Sequence, residues 1–230
     1  MGGAVGWFGA DRESGDAIEA AMPTIRLMAV ENRRFLGRAA SYVSAQGVRQ
    51  FLDIGTGLPA PGGVAEVVDP SSRILHVDND PLVTQQSGDR TYVEADLRSP
   101  RTILGHPTLR ETLDLTRPVG LMLVAVLHFI RDDENPRAIV RTLIDALPSG
   151  SYVVASHATW EYQPESAVTR LRALNPDGRF VPRPGSELGS FFDGLELVEP
   201  GVVSVAHWRA PGPRPQAEDV GCNGLVARVL

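Results

Sequence analysis

The chain has 230 residues, of which 43% are hydrophobic, and it carries a formal net charge of −6 with a pI of about 5.4. This is typical of one globular domain with a large core, and the acidic balance argues against a nucleic-acid partner. All 22 basic residues are arginine, which excludes the lysines of a P-loop, a pyridoxal-phosphate Schiff base and a protein-kinase phosphate anchor.

Cysteine, histidine and apolar content predict where the protein resides. The single cysteine, Cys222, cannot form an intrachain disulfide and favours a reducing compartment, so we expect a cytoplasmic protein. No apolar run approaches about eighteen residues, and the N-terminus has no signal-peptide pattern, so no membrane partner is predicted. The histidines are scattered and no zinc-ligand spacing is present, so no metal site is predicted.

The first part of the chain is predicted to be helical. A short helix can begin near Asp16, with Glu19 placed as in a capping box. A longer helix is predicted from Thr24 to Gln46, and Gly47 is a typical C-terminal stop. Apolar or small residues follow helical spacing along it, namely Ile25, Met28, Phe35, Leu36, Ala39 and Val43.

Strands and helices then alternate. The predicted strands are Arg49–Ile54, Ile74–Val77, Thr91–Glu94, Val119–Leu127 and Tyr152–Ser156. Helical segments are predicted near Gly63–Val68, between Ser99 and Leu113, and from Asn135 to Leu147. The crossover from Asp78 to Thr91 is short and leaves room for a helix of at most two turns. This order predicts a parallel sheet with helices on both faces.

The C-terminal part has a different pattern. Helices are predicted near Ser166–Leu174 and Ser186–Phe192. Short strands are predicted at Leu195–Val198 and Val202–Ala206, and a final apolar strand at Leu225–Leu230. Because a long loop joins these late strands, we expect them to complete the sheet as an antiparallel pair.

The stretch Phe51-Leu52-Asp53-Ile54-Gly55-Thr56-Gly57 carries the clearest functional signal. A buried parallel strand ending in a glycine turn is typical of nucleotide-like ligand sites. Gly55 and Gly57 allow a close approach to the backbone. The Asp53 carboxylate would repel a pyrophosphate but attract a cation, which favours S-adenosylmethionine. The same residues also satisfy the loose dinucleotide fingerprint G-x-G-x-x-G/A.

Acidic residues follow three successive predicted strands, where ligands of parallel sheets bind. Asp53 could face the ammonium group of S-adenosylmethionine, Asp78 could accept both ribose hydroxyls, and Asp96 could accept from the adenine amino group. The alternative is that these acids cap the next helix or turn. Leu127 and His128 follow strand four, and His157 follows strand five.

The chain resembles class I S-adenosylmethionine-dependent methyltransferases, and in particular a family of S-adenosyl methyltransferases known mainly from actinomycete sequences. The matching segments are ENRRFL at residues 31–36, QFLDIGTGLP at 50–59, VDNDP at 77–81, EADL at 94–97, LVAVLHF at 123–129 and GSYVVASH at 150–157. A weaker match covers residues 191–200. Two departures are a short segment ahead of Asp11 and the short crossover after Asp80.

The resemblance implies a three-layer, doubly wound, Rossmann-like fold with a seven-stranded, mostly parallel sheet and an antiparallel last strand. It also implies an N-terminal helical segment, residues 1–47, that covers the cofactor site, and a methyltransferase domain at residues 48–230. The expected contacts to S-adenosylmethionine are Asp53, Gly55, Thr56, Gly57, Asp78, Asn79, Asp96, Leu97, Leu127 and Arg33. For Arg33, which would meet the ligand's carboxylate, a solvated helix face is the alternative.

The predicted reaction is an in-line methyl transfer that depends on alignment and desolvation. His128 and His157 are the candidate general bases, because an unperturbed imidazole titrates near neutrality. The alternative is that both histidines have packing or hydrogen-bonding roles. Trp160 and Tyr162 could wall an acceptor pocket.

Three functional hypotheses follow. The first is a methyltransferase acting on a small-molecule acceptor that the sequence does not identify. The second is a protein that binds S-adenosylmethionine without turnover, motivated by the two short segments. The third is an NAD(P)-dependent oxidoreductase, motivated by the loose fingerprint and opposed by Asp53. The sequence leaves the oligomeric state open.

Overall fold

The computed structural model describes residues 23–58, 60–85 and 91–230. The predicted helix near Asp16 lies outside these residues. Within them, no helix is long and apolar enough to cross a membrane.

The central feature is an eight-stranded sheet with the strand order β3-β2-β1-β4-β5-β8-β6, in which β7 also pairs with β8. The strands are β1 (Gln50–Ile54), β2 (Arg73–Asp78), β3 (Tyr92–Glu94), β4 (Gly120–Val124), β5 (Tyr152–Ala158), β6 (Glu196–Leu197), β7 (Val203–Ser204) and β8 (Cys222–Arg228). Strands β1 to β5 pair in parallel, and β8 is antiparallel to β5, β6 and β7. The strand order reverses between β1 and β4.

Helices cover both faces of this sheet. They are α1 (Ile25–Ala45), α2 (Val64–Val67), α3 (Pro81–Gln85), α4 (Pro100–Gly105), α5 (Pro107–Thr112), α6 (Pro136–Ile144), α7 (Glu165–Ala173), α8 (Gly185–Ser190) and α9 (Ala217–Val220). The three-layer, mostly parallel α/β architecture expected from the sequence is confirmed. The sheet has one strand more than expected, because β6 and β7 pair with different parts of β8.

Alternating side chains of the strands form two separate cores. In β4, Leu121 and Leu123 belong to one apolar cluster, and Met122 and Val124 belong to the other. The second cluster also contains the buried face of α1, where Phe35 is fully buried. This burial explains the helical spacing of apolar residues in α1.

Two predicted strand boundaries are wrong. Strand four was expected to reach Leu127, but β4 ends at Val124 because Ala125 has a positive φ of 57° and the chain then turns into a 3₁₀ helix, Leu127–Phe129. The last strand was expected to begin at Leu225, whereas β8 begins at Cys222. The apolar run continues through the first boundary, and at the second the strand extends through the polar Asn223 and through Gly224, so composition alone could not locate either one.

The short crossover after β2 contains α3, which has five residues. Asp80 begins it, since its Oδ1 accepts from the backbone N–H of Leu82 at 2.8 Å. Residues 86–90 of the crossover lie outside the described part of the chain. As far as residue 85, the helix is within the predicted limit of two turns.

Candidate cofactor site

A cavity of about 530 Å³ lies at the carboxyl ends of β1 to β4, where the strand order reverses. Open parallel sheets bind their ligands at this place. The cavity is lined by Ile54, Gly55, Asp78, Asn79, Ala95, Asp96, Leu97, Arg98, Val126, Phe129, Ile130, Arg131, Glu134 and Arg179. Five of the ten predicted cofactor residues are in this set, namely Gly55, Asp78, Asn79, Asp96 and Leu97.

The glycine turn after β1 depends on its glycines. Gly55 has a φ of +74° and Gly57 a φ of +66°, a region that other residues rarely adopt. A Cβ atom on Gly55 would lie 2.6 Å from Cγ2 of Val126, whereas a Cβ atom on Gly57 would meet nothing within 4 Å. The turn therefore packs against the loop after β4 at Gly55, whereas the space next to Gly57 is unoccupied by protein atoms.

Asp53 and Thr56 lie next to this turn but are not among the cavity-lining residues. Asp53 is buried, and its Oδ2 accepts from the Thr56 hydroxyl at 2.7 Å. His76 Nδ1 lies 3.0 Å from both Asp53 Oδ2 and Thr56 Oγ1, and its ring stacks on Tyr92 with centroids 4.6 Å apart. Asp53 therefore stabilises the glycine turn through its hydrogen bond with Thr56. A direct contact between Asp53 and a ligand remains a prediction.

Asp78 connects β2 to the glycine turn. Its Oδ2 accepts from the Gly57 backbone N–H at 2.8 Å, and its Oδ1 accepts from the Asp80 backbone N–H at 3.0 Å. These two hydrogen bonds fix the carboxylate in a half-buried position at the cavity wall. Each oxygen keeps a second lone pair for another donor.

Arg98 is the main cavity residue that the sequence did not predict. It donates to both oxygens of Asp96 at 3.1 and 3.2 Å, to Glu134 Oε1 at 2.7 Å and to the Phe129 carbonyl at 2.8 Å. Burial lowers the pKa of Arg98, but the hydrogen bond to Glu134 and the charge of Asp96 outweigh it, so the net shift is upward. Asp96 also accepts from Asn79 Nδ2 at 3.4 Å. Arg98 thus links β3 to the loop after β4.

Leu127 and the two candidate bases lie away from the cavity lining. Leu127 is fully buried in the apolar core, and its neighbours Val126 and Phe129 line the cavity instead. His128 and His157 are buried with their rings 5.6 Å apart. Burial above all, and then its neighbours His157 and Arg183, lower the pKa of His128 well below its usual value. Burial, with a smaller effect of the Arg183 charge, lowers the pKa of His157 to about 4. Both histidines are therefore neutral at pH 7.

Both ring nitrogens of His157 have partners. Nδ1 donates to the Ala158 carbonyl at 2.8 Å, and Nε2 lies 3.2 Å from Nη1 of Arg183. Because a guanidinium only donates, Nε2 must be the acceptor. His128 Nδ1 accepts from the Ala158 backbone N–H at 3.4 Å.

Arg183 organises the loop after β4, and sequence reasoning missed it. Its side chain is 2% exposed and ion-pairs with Asp132 and with Glu187. It also donates to the carbonyls of Leu127 and Ile130 at 3.3 and 2.9 Å. No local motif marks this arginine, because the hydrogen-bond partners of its side chain are all at least 26 residues away in sequence.

Arg33 contacts the glycine-rich loop rather than the cavity. It donates to the carbonyls of Ala60 and Pro61 at 2.8 and 3.1 Å. It therefore connects α1 to the segment that follows the glycine turn. The role predicted for Arg33 at the ligand's carboxylate stays a prediction.

An aromatic cluster borders the cavity. Phe129, which is 49% exposed, packs with Phe180 at a centroid distance of 5.9 Å, and Trp160 lies 6.4 Å from Phe180. Tyr162 lies apart from this cluster and donates its hydroxyl hydrogen to Asn223 Oδ1 at 3.1 Å. Trp160 thus belongs to a cluster around Phe129, which the sequence analysis did not single out, and the acceptor-pocket role of Trp160 and Tyr162 stays a prediction.

Comparison with known proteins decides the family. The family model described as S-adenosyl methyltransferase matches residues 1–229. The chain belongs to this S-adenosyl methyltransferase family. S-adenosylmethionine is accordingly its cofactor, and the resemblance seen in the sequence is confirmed.

Solved structures agree with the assignment of this chain to the methyltransferase family. A DUF574 family protein from Streptomyces avermitilis is 39% identical over 99% of this chain and 94% of its own, with a TM-score of 0.91. A candidate methyltransferase from Thermobifida fusca is 31% identical over 96% of this chain and 89% of its own, with a TM-score of 0.88. The N-methyltransferase NodS from Bradyrhizobium japonicum, in complex with S-adenosylhomocysteine, is 15% identical over 90% of this chain and 98% of its own, and its TM-score of 0.55 concerns the fold alone. No curated protein matches the chain.

Proposed function

We propose that this methyltransferase binds S-adenosylmethionine in the cavity at the carboxyl ends of β1 to β4 and transfers its methyl group to a small-molecule acceptor. The position of Asp78 carries the proposal. Its carboxylate faces the cavity from the end of β2 while two backbone hydrogen bonds hold it in place. An acid at this position accepts ribose hydroxyls in related nucleotide folds.

The residues around the cavity fit this cofactor. The volume of about 530 Å³ lies within the range of small-molecule sites. Asp78 would accept from the ribose hydroxyls, and Asn79 and Asp96 would meet the adenine edge. Leu97, Ile54 and Val126 provide apolar walls for the rest of the nucleoside. Asp53 would act through the turn that it supports together with Thr56.

When bound, S-adenosylmethionine supplies an electrophilic methyl group. The contribution of the protein is to orient the reactants and to exclude water. Arg98 donates hydrogen bonds to Asp96 and to the Phe129 carbonyl, and these bonds fix the position of Asp96 relative to the loop after β4. Phe129 and Phe180 would hold an acceptor against the cofactor side of the cavity.

The general-base role predicted for His128 and His157 is not the role we propose. Both imidazoles are neutral, buried and outside the cavity lining. His157 would have to break two hydrogen bonds before it could accept a substrate proton. A positioning role for the pair, behind the Leu127–Phe129 turn, fits these contacts better than proton transfer.

The first experiment is calorimetric titration of the protein with S-adenosylmethionine and S-adenosylhomocysteine, with NADH as the control ligand. We expect micromolar binding of the first two and no binding of NADH. The Asp78→Asn variant should weaken binding by about tenfold or more, because a charged acceptor for two hydroxyls is lost. Asp80→Asn removes the same charge two residues away and keeps an oxygen that can cap α3, so it should leave the affinity near that of the wild type.

A second experiment addresses the acceptor and separates turnover from binding alone. Methyl-labelled S-adenosylmethionine is incubated with the protein and a size-fractionated extract of the source cells. We expect label in the small-molecule fraction. Label in the nucleic-acid or protein fraction would contradict the small acceptor. Retention of S-adenosylmethionine without any labelled product would support the non-catalytic binding hypothesis.

A further inference from the structure

A second cavity, of about 720 Å³, lies between α1, α2 and the segment after β7. Its described lining comprises Arg34, Gly37, Arg38, Ser41, Tyr42, Val67, Trp208, Arg209, Pro211 and Arg214. None of these residues is among the described lining of the cofactor cavity. We call this second cavity the arginine groove.

The groove concentrates positive charge on an otherwise acidic protein. Among its four arginines, Arg34 pairs with Glu31 at 2.5 Å. Arg38 donates to the carbonyls of Trp208 and Val205. Within the described part of the chain, Glu31 is the one carboxylate that forms an ion pair with these four arginines, so most of their charge is not neutralised. The chain as a whole has a net charge of −6, so the positive charge of this cluster is opposite in sign to the overall charge of the protein.

Arg209 and Arg214 are the other two arginines of the groove. The Nε of Arg209 donates to the Glu199 carbonyl at 2.9 Å. Within the described part of the chain, Arg214 has neither a hydrogen-bond acceptor nor an ion-pair partner. Burial and the charge of Arg214 lower the pKa of Arg38, in line with uncompensated positive charge.

Two buried donors in the groove lack acceptors. Trp208 is 0% exposed, and its Nε1–H has no partner. The Nε of Arg214 is likewise buried without a partner. A buried donor left unsatisfied is destabilising, so an occupant that accepts hydrogen bonds would stabilise the site. Both groups only donate, and the occupant must therefore supply acceptor oxygens.

Aromatic rings form the floor of the same groove. The Arg209 guanidinium lies 4.4 Å from the Tyr42 ring centroid and 5.6 Å from that of Trp208. Arg209 adopts a φ of +44°, in the left-handed region that is costly for a residue with a side chain. Trp208 is fully buried, so the half-buried Tyr42 ring places apolar contact area beside the cations, as a ligand with a planar body would require.

We propose that the arginine groove is a binding site for a small organic phosphate, with the phosphate held by the arginines and a planar apolar body placed against Tyr42. Arginine is well suited to phosphate because its planar donors match two oxygens at once. A phosphate monoester also brings enough acceptor oxygens for the Trp208 and Arg214 donors. This proposal is independent of the cofactor assignment.

The test titrates the full chain with phenyl phosphate as the probe and measures binding by calorimetry. We expect saturable binding that weakens as salt is raised and that is tighter than the binding of inorganic phosphate. Arg214→Gln should weaken the binding by about tenfold without lowering the thermal unfolding midpoint, because Arg214 has no intramolecular partner to lose.

Two controls carry the same charge change. The control variants are Arg101→Gln and Arg179→Gln. Arg101 lies on an exposed part of α4, and Arg179 lies at the cofactor cavity. Both should bind phenyl phosphate as the wild type does. The proposal is overturned by equal losses in all three variants, which would indicate non-specific charge attraction, or by a loss confined to Arg179→Gln, which would place the anion in the other cavity. Absence of binding, or equal binding of inorganic phosphate, would also contradict it.

Discussion

At the scale of single residues, the glycine turn shows how two similar positions differ in what they require. Gly55 and Gly57 share a left-handed backbone conformation. Only Gly55 is also in close contact with another segment, the Val126 side chain. Backbone strain and steric exclusion therefore act together at Gly55, whereas backbone strain acts alone at Gly57.

This difference predicts the stability of two matched variants. Gly55→Ala should lower the free energy of unfolding by about 2–4 kcal/mol, since the Cβ atom adds overlap to the left-handed strain. Gly57→Ala should cost only about 1 kcal/mol, the cost of strain alone. Urea unfolding of both variants measures the difference. Equal losses would show that the contact with Val126 relaxes without cost.

The buried His157 predicts how stability depends on pH. Its pKa falls from 6.5 to about 4, chiefly through burial, so the unfolded chain takes up a proton before the folded protein does. Stability from this group is therefore complete above pH 6.5 and is lost as the pH falls towards 4, by about 1.4 kcal/mol per pH unit.

His157→Gln tests this expectation, because the amide oxygen can replace Nε2 as the acceptor for Arg183. The free energy of unfolding of the wild type should fall more steeply than that of the variant between pH 6.5 and 4.5. The two should run parallel above pH 7. The same slope for both proteins at low pH would contradict neutrality of the native imidazole as its source.

At the scale of elements, the loop after β4 depends on the buried Arg183. This arginine ties the turn after β4, through the Leu127 and Ile130 carbonyls, to Glu187 of α8. The loop contributes Val126, Phe129 and Ile130 to the cofactor cavity. Its geometry therefore depends on a residue more than fifty positions further along the chain.

We expect Arg183→Met to lower the free energy of unfolding by about 3–5 kcal/mol, because buried carbonyls and carboxylates lose their donor. Arg137→Met is the matched control. Arg137 lies 5.1 Å from the Phe191 ring that Arg183 also contacts at 5.5 Å, but it is exposed, so its loss should stay below about 1 kcal/mol. Denaturant unfolding compares the two. Similar losses would mean that the contact with Phe191, and not the buried network, accounts for the effect.

At the scale of the whole molecule, the predicted division into a covering segment, residues 1–47, and a domain, residues 48–230, stays a prediction. Helix α1 packs on the second core and contacts the loop after the glycine turn through Arg33. The described part of this segment is thus integrated with the rest of the molecule. Residues 1–22 are the part whose covering role is still to be measured.

Deletion of residues 1–22 tests the covering role. If this segment encloses the cofactor, its removal should weaken binding of S-adenosylmethionine by about tenfold, because the ligand becomes more exposed to water. The unfolding midpoint without ligand should change little, since the core of α1 lies after Thr24. Unchanged affinity of the truncated protein would contradict the prediction.

The sequence by itself determined the layer architecture, the glycine turn and the acidic ends of β2 and β3. These features are encoded locally, by alternating elements, by glycines and by the residues at strand ends. The sequence therefore placed Asp78, Asn79 and Asp96 at the cavity, where their contacts with the cofactor stay predictions, and the family resemblance was confirmed. The end of β4 was not found, because the apolar run continues through Leu127 while the backbone turns at Ala125.

Only the tertiary structure decided which side chains meet. His76 reaches Asp53 because β1 and β2 pair in a register that places the two residues side by side. Arg98 reaches Glu134 and the Phe129 carbonyl, and Arg183 reaches the Leu127 and Ile130 carbonyls, across more than thirty residues of sequence. His128 and His157 are neutral because the surrounding fold removes water. Such contacts follow from the packing of distant segments, which no local spacing encodes, and they turn a recognisable nucleotide-binding pattern into a defined cavity.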